Sequence, residues 1–347
     1  MISLIVVNYR SAALAVEAIR SARASSRRPL EVVVVENSVD ESEAAMLRGV
    51  ADTVVVPATN TGYGGGINLG RKACSGDILI ACNPDVVFGE DAVNALAGAL
   101  ASPGAAVAGP ALFWDRDHRW MLPPADEHSL RQRLDQVLAS RSSPWFRWRD
   151  RRRFRARVTF WSLAASTRVP AISGAVMAIR TADFDAIGGF DERYALYFEE
   201  TDFLRRVRRA GKQVVYVPSA RCRHLYNQSA GIERHQAGQR YAQSEKLFLQ
   251  KWYGWAGRAL AGLERQTQAT ADLASTGPME ITGADLVAEA SPLPTFVTAA
   301  GHFPGPGPLE IPKEVGESYR GDTLFLRIVD RRTARVMASY VLRGLIE

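Results

Sequence analysis

Acidic side chains cluster in one short stretch of an otherwise basic chain. Residues 188–192 read Gly-Gly-Phe-Asp-Glu, and residues 197–202 read Tyr-Phe-Glu-Glu-Thr-Asp. Carboxylates this close repel one another, so at least one is expected to have a raised pKa. Such a carboxylate suits a general base that takes a proton from a hydroxyl group. An ordinary helix start would explain the same acids, but two upstream motifs favour chemistry.

The first upstream motif is Asn83-Pro84-Asp85, which directly follows a predicted buried strand at residues 78–82. Side chains at the carboxyl end of a parallel strand point into the ligand crevice of an open sheet. An aspartate there can bind a hard cation, which in turn neutralises a diphosphate. A plain Asn-Pro-Asp turn is the alternative interpretation.

The second upstream motif is the glycine-rich run at residues 60–66. Glycine permits a positive φ and a close approach of the backbone to a ligand. Backbone N–H groups at the start of the following helix can face phosphate or sugar hydroxyls. A loop without a ligand is the alternative. No Gly-x-Gly-x-x-Gly follows the first strand, which argues against a nicotinamide or flavin dehydrogenase.

The bulk properties limit the function classes. The chain has 347 residues, a net charge of +6 and 47% apolar residues, enough for one large domain and a small one. A basic chain favours anionic partners such as nucleotide phosphates or acidic lipid surfaces. Three cysteines without metal-type spacing indicate reduced thiols. With no basic leader and no long apolar run, we expect a cytoplasmic protein.

Strands and helices alternate over the first part of the chain, which predicts an α/β fold. Its mostly parallel sheet would have helices on both faces, and a small β module would follow at the C-terminus. Predicted strands cover residues 3–7, 31–35, 53–56, 78–82, 171–179 and 213–224. Predicted helices cover residues 12–23, 42–50, 67–74, 91–100, 130–139, about 199–210 and 234–266.

Residues 141–157 carry eight arginines against one aspartate, interleaved with Trp145, Trp148 and Phe154. Tryptophan with arginine suits a membrane interface, although it also suits single-stranded nucleic acid. A solvated basic segment is the third interpretation. The helical phase is poor, so no clean amphipathic helix is predicted. No nucleic-acid-binding module surrounds the segment, so no nucleic-acid partner is expected.

The composition changes near residue 275, and glycine and proline crowd residues 292–312. Short strands are predicted at 323–329 and 335–342, paired across an intervening turn. We therefore predict two domains. Residues 1–266 would form the catalytic domain, with a basic and aromatic insertion at 115–168, and residues 275–347 a β-rich accessory module without catalytic residues.

Together the motifs resemble family-2 glycosyltransferases of the GT-A fold, and among them the rhamnosyltransferase-like branch. The resemblance covers about residues 1–255 and rests on the order and spacing of six stretches: 5–11, 35–38, 60–70, 83–85, 173–175 and 188–202. It implies inverting transfer of a sugar, with dTDP-rhamnose favoured as donor, to a glycan or lipid-linked acceptor in bacterial surface polysaccharide synthesis. Such an enzyme would be cytoplasmic and able to sit peripherally on the inner membrane face.

The resemblance also assigns roles by position. Glu200 would be the base with Asp202 in support, and Asp85 with His224 would hold Mg²⁺ or Mn²⁺. His224 alone is more often a packed residue, so its role depends on the fold bringing it to Asp85. Donor binding is assigned to Asn8, Glu36, Asn60, Gly62, Gly65, Asn83, Asp85, Ser173 and Gly174. Acceptor or membrane contact is assigned to Trp145, Trp148, Arg152 and Asp191.

Three residues depart from the family pattern. Asn83 replaces the first aspartate of an Asp-x-Asp motif, Glu200 replaces the aspartate of a Glu-Asp pair, and Glu36 replaces a base-contacting aspartate. Two alternatives therefore stay open. One is a transferase of the same fold with a UDP- or GDP-hexose donor, and the other is a catalytically silent carbohydrate-binding relative.

Overall fold

The structure is a computed structural model that describes residues 1–225, 234–261, 263, 279–318 and 323–343. Contacts divide the chain into two compact units. Unit 1 comprises Met1–Ala111, Ala125–His128 and Ala164–Ala261, and unit 2 comprises Leu112–Pro124, Ser129–Leu163 and Gly262–Glu347. Most of the insertion thus groups with the C-terminal residues. The predicted limits at residues 266 and 275 lie outside the described residues, and the predicted domains stay a prediction.

The strands are β1 Ile2–Asn8, β2 Leu30–Glu36, β3 Thr53–Val55, β4 Ile78–Cys82, β5 Val86–Phe88, β6 Ala105–Phe113, β7 Thr167–Arg168, β8 Val176–Arg180, β9 Gln213–His224, β10 Glu280–Ile281, β11 Leu286–Ser291, β12 Ala300–His302, β13 Gly307–Pro308, β14 Thr323–Asp330 and β15 Val336–Arg343. The helices are α1 Ala12–Ala24, α2 Glu41–Arg48, α3 Gly62–Lys72, α4 Ala92–Ala99, α5 Leu130–Ala139, α6 Ser143–Trp161, α7 Thr181–Ile187, α8 Glu199–Arg209, α9 Arg234–Ala261 and α10 Lys313–Ser318.

One large sheet organises unit 1. Within the described residues its strand order is β3-β2-β1-β4-β8-β6-β9-β5, with β7 beside β9. Strands β3, β2, β1 and β4 are parallel, and β4 pairs with β8 in the antiparallel direction. The register aligns Asn8 with Glu36 and Val6 with Cys82, so three strands end at the same edge. The predicted α/β class, with its flanked sheet and separate β module, is confirmed.

Helix α3 begins at Gly62, so the predicted start at residue 67 was wrong. The glycines thought to form a turn make up the first turns of the helix. A Cβ on Gly66 would lie 2.8 Å from Val7 Cγ1, and one on Gly70 would lie 2.6 Å from Ile5 Cγ2. Glycine disfavours a helix by about 1 kcal/mol per residue, yet here it lets the helix pack directly on β1.

Helix α6 spans Ser143–Trp161, where no clean helix was expected. The Ser142 side chain caps its N-terminus, and Pro144 lies in the first turn. Its pattern is unusual because arginines face inward. Arg149 and Arg157 are buried, whereas Trp145 and Trp148 are exposed. A search for apolar residues at helical spacing therefore misses this helix.

A buried ionic network runs through unit 2 and joins α6 to the C-terminal sheet. Arg157 Nε donates to Glu289 Oε1 at 2.7 Å, and Arg327 Nε donates to Glu289 Oε2 at 2.8 Å. Arg327 also makes a two-bond contact with Asp150 at 2.7 and 2.9 Å. Beside the network, Phe154, Val158 and Trp161 of α6 cluster with buried residues of the sheet. The network holds insertion and module together.

The sheet of unit 2 has the order β12-β11-β14-β15 and is antiparallel throughout. Strands β14 and β15 pair across the turn after Asp330, so that predicted hairpin is confirmed. Helices α5 and α6 precede this sheet in sequence and form a helical hairpin, which begins with a capping box at Ser129. No helix in the described part of the chain is both long enough and apolar enough to cross a membrane.

Candidate active site

Asp85 and His224, which lie far apart in sequence, meet at the end of two paired strands. Strand β5 follows Asp85 directly, and it pairs with β9 so that Val86 aligns with His224. His224 Nε2 lies 3.3 Å from Asp85 Oδ1. Burial, the largest single effect, would raise the pKa of Asp85, but the combined electrostatic effects of His224 and of the backbone outweigh it and lower that pKa below its usual value. Asp85 is therefore a buried carboxylate in its charged form.

The same pair fits a divalent cation. Asp85 is almost fully buried, and its Oδ1 accepts no hydrogen bond within the described residues. A buried carboxylate oxygen without a donor is rare unless a ligand uses it, and carboxylate with imidazole suits Mn²⁺ or Mg²⁺. No set of three protein ligands occurs among the described residues. Asp85 and His224 could thus hold an ion whose remaining ligands come from elsewhere, such as a diphosphate.

Glu199 and Glu200 open helix α8 and form a coupled acidic pair. Glu199 is only 4% exposed, and its Oε2 has no hydrogen-bond partner within the described residues. Burial, followed by repulsion from Glu200, raises the pKa of Glu199 well above its ordinary value. Burial also raises the pKa of Glu200, which receives one long contact, 3.4 Å, from the Thr201 hydroxyl. The expectation of a raised pKa in this cluster agrees with the geometry.

The backbone is strained immediately before this pair. Tyr197 and Phe198 both have left-handed conformations, with φ of 67° and 68°. Such values are rare for aromatic residues and persist only where surrounding contacts enforce them. Phe198 is buried in an aromatic cluster, with ring centroids 4.5 Å from His128 and 5.4 Å from Phe248. This packing fixes the backbone of Phe198 and therefore the positions of Glu199 and Glu200 at the start of α8.

The Tyr63 side chain connects the acidic pair with Asp85. Its hydroxyl donates to the Gly174 carbonyl oxygen at 3.0 Å, and a Cβ on Gly174 would lie 3.0 Å from Glu200 Cγ. Burial raises the pKa of Tyr63 well above its ordinary value, and the charges of Glu199, Glu200 and Asp85 raise it further. The Tyr63 hydroxyl and the Glu200 side chain therefore both lie against Gly174.

Asn83 and Ser173 also lie close to Gly174. The Asn83 backbone N–H donates to the Ala175 carbonyl oxygen at 2.9 Å, so the end of β4 lies next to the segment that enters β8. The Ser173 hydroxyl accepts a hydrogen bond from the Ala175 N–H at 3.2 Å. The structure therefore brings Asn83, Asp85, Ser173 and Gly174 together with Glu200. Their roles in donor binding stay a prediction.

Asn8 and Glu36 lie side by side at the ends of β1 and β2, and both are fully buried. Asn8 Nδ2 donates to Glu36 Oε1 at 3.4 Å and to Glu43 Oε2 at 2.9 Å. Glu36 also accepts hydrogen bonds from the Ser38 hydroxyl and from the backbone N–H groups of Ser38 and Asp40. Both oxygens of Glu36 are thus used to shape the turn, and contact with a nucleobase would require exchanging one of these bonds.

Asn37 organises the start of the glycine-rich segment, a role that sequence reasoning did not assign to it. Its Nδ2 donates to Asn60 Oδ1 and to the Gly62 carbonyl oxygen, both at 3.0 Å. Its Oδ1 accepts from the Thr61 N–H at 2.9 Å. Asn60 Oδ1 accepts in turn from the Gly62 N–H at 2.8 Å. Gly62 has a φ of +72°, which this tight entry to α3 requires.

Lys251 and Trp252 of α9 hold the remaining predicted acids in place. Asp202 is fully buried and contacts Lys251 Nζ at 2.7 Å, Trp252 Nε1 at 2.8 Å and Arg206 Nε at 2.8 Å. Asp191 also contacts Lys251 Nζ at 2.7 Å. Hydrogen bonds from Arg193 and then Lys251 lower the pKa of Asp191, against the opposing effect of burial. Asp191 is therefore not poised to take up a proton.

The other predicted residues lie in different surroundings. Gly65 is buried in α3, and a Cβ there would lie 3.1 Å from Thr61 Cβ. Trp145, Trp148 and Arg152 belong to unit 2. No sequence signal could have identified Lys251 or Trp252, because they come from a helix remote in sequence. Tyr63 could have been noted, since it is the aromatic residue inside the glycine-rich run.

Comparison with protein families gives a clear match. The model of a family described as "Glycosyltransferase like family 2" matches residues 1–242. The chain is also similar to an N-acetylglucosaminyl-diphospho-decaprenol L-rhamnosyltransferase of Mycobacterium tuberculosis. The two are 31% identical over 252 residues, which cover 67% of this chain and 78% of that protein.

Solved structures give more distant matches. One is a mannosyltransferase, PcManGT from Pyrobaculum calidifontis, in complex with GDP-Man and Mn²⁺; it is 15% identical, with a TM-score of 0.49 and coverage of 76% of this chain and 68% of that one. Another is residues 1–349 of S. aureus TarS in complex with UDP, which is 15% identical, with a TM-score of 0.44 and coverage of 72% and 64%.

Proposed function

The chain belongs to the family-2 glycosyltransferases, and on that premise we propose that it moves a rhamnosyl group from dTDP-rhamnose to a glycan or lipid-linked acceptor, with inversion. The observation that supports the proposal is the position of residues 173–175: the Ala175 carbonyl oxygen accepts from the Asn83 N–H at 2.9 Å, next to Asp85 in sequence, and Gly174 packs against Glu200. Asp85 is suited to a site for the leaving diphosphate, and the Glu199–Glu200 pair is suited to accept a proton from the incoming acceptor hydroxyl.

Asp85 and His224 would hold Mg²⁺ or Mn²⁺, and the ion would neutralise the charge that develops on the leaving diphosphate. The support is the 3.3 Å approach of His224 Nε2 to Asp85 Oδ1, a buried oxygen that accepts no hydrogen bond within the described residues. The edge formed by Asn8, Asn60 and Asn83 would orient the donor through hydrogen bonds. Fixed polar groups at this edge favour one donor pose over others.

Glu200 would act as the base. Its raised pKa brings a carboxylate closer to the operating pH, where proton transfer from a sugar hydroxyl is most effective. As the acceptor oxygen bonds to the anomeric carbon, Glu200 takes the hydroxyl proton and the bond to the diphosphate breaks. Attack from the side opposite the leaving group gives inversion. Asp202, fixed by Lys251 and Trp252, would keep the start of α8 in position.

The relative from Mycobacterium tuberculosis supports the donor and acceptor classes, since its name specifies rhamnosyl transfer to a diphospho-decaprenol acceptor. We extend both classes to this chain, with bacterial surface polysaccharide as the product. An acceptor of that kind is anchored in a bilayer. The enzyme would therefore work in the cytoplasm, peripherally at the inner membrane face.

A donor screen tests this function directly. The full chain is mixed with dTDP-rhamnose, UDP-hexoses and GDP-hexoses, each with Mn²⁺, with Mg²⁺ or with chelator, and thermal stabilisation and donor hydrolysis are measured. Stabilisation and hydrolysis by dTDP-rhamnose with metal support the proposal. Preference for a UDP- or GDP-hexose would overturn the donor assignment, and binding of every donor without any turnover on acceptor would indicate a silent carbohydrate-binding protein.

A further inference from the structure

The α5–α6 hairpin of unit 2 exposes four large apolar side chains, whereas most large apolar side chains among the described residues are buried. Leu134 and Leu138 of α5 are exposed, as are Trp145 and Trp148 of α6, the last two by 37% and 48%. The Trp145 and Trp148 rings contact each other at a tilt of 52°, with ring centroids 5.0 Å apart. Trp145 Nε1 donates to Asp135 Oδ1 at 3.1 Å, so this pair lies against α5, close to Leu134. We call these four residues and the exposed arginines beside them the hairpin face.

The charges exposed on the hairpin face have one sign. Arg131, Arg141, Arg147 and Arg151 are exposed, and none of them forms an ion pair within the described residues. The acids of the two helices are already engaged and do not face solvent freely. Asp135 is buried against Trp145 and Arg152, and Asp150 pairs with Arg327. The face therefore presents indole rings, leucines and guanidinium groups without a compensating carboxylate.

The support under the face is rigid. The inner side of α6 is fixed to the C-terminal sheet by the Arg157–Glu289–Arg327 network and by the cluster around Phe154 and Trp161. This arrangement reverses the usual amphipathic helix, in which apolar residues face the protein. The inward Arg157 is paired with Glu289, whereas Trp145 and Trp148 are exposed and available to a partner outside unit 2.

From these observations we propose that the hairpin face docks on a bilayer surface rich in anionic phospholipid. Indole rings favour the boundary between headgroups and acyl chains, and arginine can bury its stem while its charge stays at the headgroups. Anionic headgroups supply the missing negative charge, and each basic residue near such a surface strengthens binding about fivefold at low salt. No described helix can span a membrane, so the contact would be interfacial.

This inference deepens the proposed location at the membrane and rests on the proposed function only for the presence of a lipid-linked acceptor there. It also gives the C-terminal sheet a role, as the base that holds α6 with its tryptophans outward. Single-stranded nucleic acid is the competing partner for aromatic and basic side chains. It is less favoured because the two tryptophan rings are tilted against each other and the same hairpin exposes Leu134 and Leu138, which offer nothing to a base or a phosphate.

The test is sedimentation of the full chain with vesicles of phosphatidylglycerol and phosphatidylcholine, compared with phosphatidylcholine alone, at low and high salt. Two variants probe the face: Arg147→Gln with Arg151→Gln, and Trp148→Ser. Their matched controls lie in unit 1. They are Arg20→Gln with Arg28→Gln, exposed arginines without an ion pair in the described residues, and Trp255→Ser, whose side chain is 78% exposed.

We expect the wild type to bind the anionic vesicles at low salt, to dissociate from them at high salt and not to bind the neutral vesicles. The double arginine variant should bind about 25-fold more weakly, and Trp148→Ser about tenfold more weakly, while both controls bind like the wild type. Removing Arg147 and Arg151 breaks no ion pair in the described residues, so that variant should fold even if a tryptophan variant does not.

Equal loss in the controls, or no binding by the wild type at low salt, would overturn the proposal. So would binding of a single-stranded oligonucleotide that displaces the vesicles and depends on Trp148. Binding is measured without donor or acceptor, and transfer to a water-soluble acceptor is measured separately. Vesicle binding without transfer would refute only the proposed function, and transfer without vesicle binding would refute only this inference.

Discussion

Buried charges are treated in opposite ways in the two units. In unit 2, Glu289 bridges Arg157 and Arg327, and Arg327 reaches Asp150, so each charge of this network has an opposite charge within contact distance. In unit 1, Glu199 and Glu200 stand next to each other with few donors. Each buried polar group left without a partner costs about 1–3 kcal/mol. The ion-paired network of unit 2 stabilises the fold. The adjacent glutamates of unit 1 lower stability, and such an arrangement is retained where catalysis requires it.

The comparison also separates two kinds of acid within unit 1. Asp202 and Asp191 are compensated by Lys251, in the manner of unit 2. Asp85 and Glu199 each keep one oxygen without a hydrogen bond. The acids expected to contact a ligand are therefore Asp85, whose neighbour is His224, and the Glu199–Glu200 pair, whereas Asp202 and Asp191 are expected to hold the site in shape through Lys251. The following substitutions test this distinction.

Replacing Glu200 should have the largest effect. Glu200→Gln removes the proposed base without changing the size of the side chain, so kcat should fall about 10²- to 10⁴-fold. Donor affinity should stay nearly the same, because the base acts on the acceptor. Steady-state kinetics with donor-binding calorimetry checks both, and Glu199→Gln is the matched variant. Near-normal turnover in Glu200→Gln together with inactivity of Glu199→Gln would move the role to Glu199.

Replacing Glu289 should affect stability instead of chemistry. Glu289→Ala leaves Arg157 and Arg327 facing each other in a buried space, which should reduce the free energy of unfolding by about 3–5 kcal/mol. Denaturant unfolding of the full chain measures the change, with Glu310→Ala, an exposed acid of the same unit, as control. Metal-dependent donor binding should persist in the folded variant. A variant as stable as the control would show that the network is not what holds unit 2.

Replacing Asp85 should weaken donor binding only when metal is present. Asp85→Asn keeps the shape of the side chain but removes the charge that would hold the ion, so affinity should fall at least about tenfold. Chelation should lower the donor affinity of the wild type to that of the variant and leave the donor affinity of the variant unchanged. Asp77→Asn, an exposed acid of the same unit, serves as control. Equal donor binding by Asp85→Asn and wild type, with and without metal, would remove Asp85 from the metal site.

Replacing Glu199 should change the pH dependence of stability. The folded pKa of Glu199 is raised above its unfolded value of 4.5. Between those two values the folded state binds more protons than the unfolded state, so stability falls as pH rises, by about 1.4 kcal/mol per pH unit. Above the raised pKa the fall stops. Glu199→Gln should flatten this slope, as denaturant unfolding between about pH 5 and pH 8 will show. An unchanged slope would contradict the uncompensated burial of Glu199.

The α/β order of unit 1 could be predicted from sequence because buried parallel strands form runs rich in Val and Ile, as at Ile2–Asn8 and Leu30–Glu36. The start of α3 could not, because glycine was taken as a turn signal. Gly66 and Gly70 are needed for packing against Val7 and Ile5, which is a tertiary contact. Helix α6 was missed for a related reason, since the partner of Arg157 lies in β11, far along the chain.

The candidate site could be predicted in part. Residues next to strand ends, such as Asp85 and Asn8, follow from sheet topology, and the meeting of Asp85 with His224 needed only the pairing of β5 with β9. The contact of Lys251 with Asp202 could not be predicted, because charge pairing between distant helices leaves no local pattern. The strain at Tyr197 and Phe198 was also invisible, since aromatic residues rarely take left-handed conformations.

The position of Lys251 and Trp252 sets a lower limit on the length of a working fragment. The family match ends at residue 242, so a fragment cut at that homology boundary would lose both residues. Asp202 would then keep only Arg206 of its three side-chain donors, although it lies in the first turn of the helix that presents Glu200. A working fragment should therefore extend beyond Trp252, and it also needs the C-terminal sheet, because Glu289 of that sheet pairs with the buried Arg157 of α6.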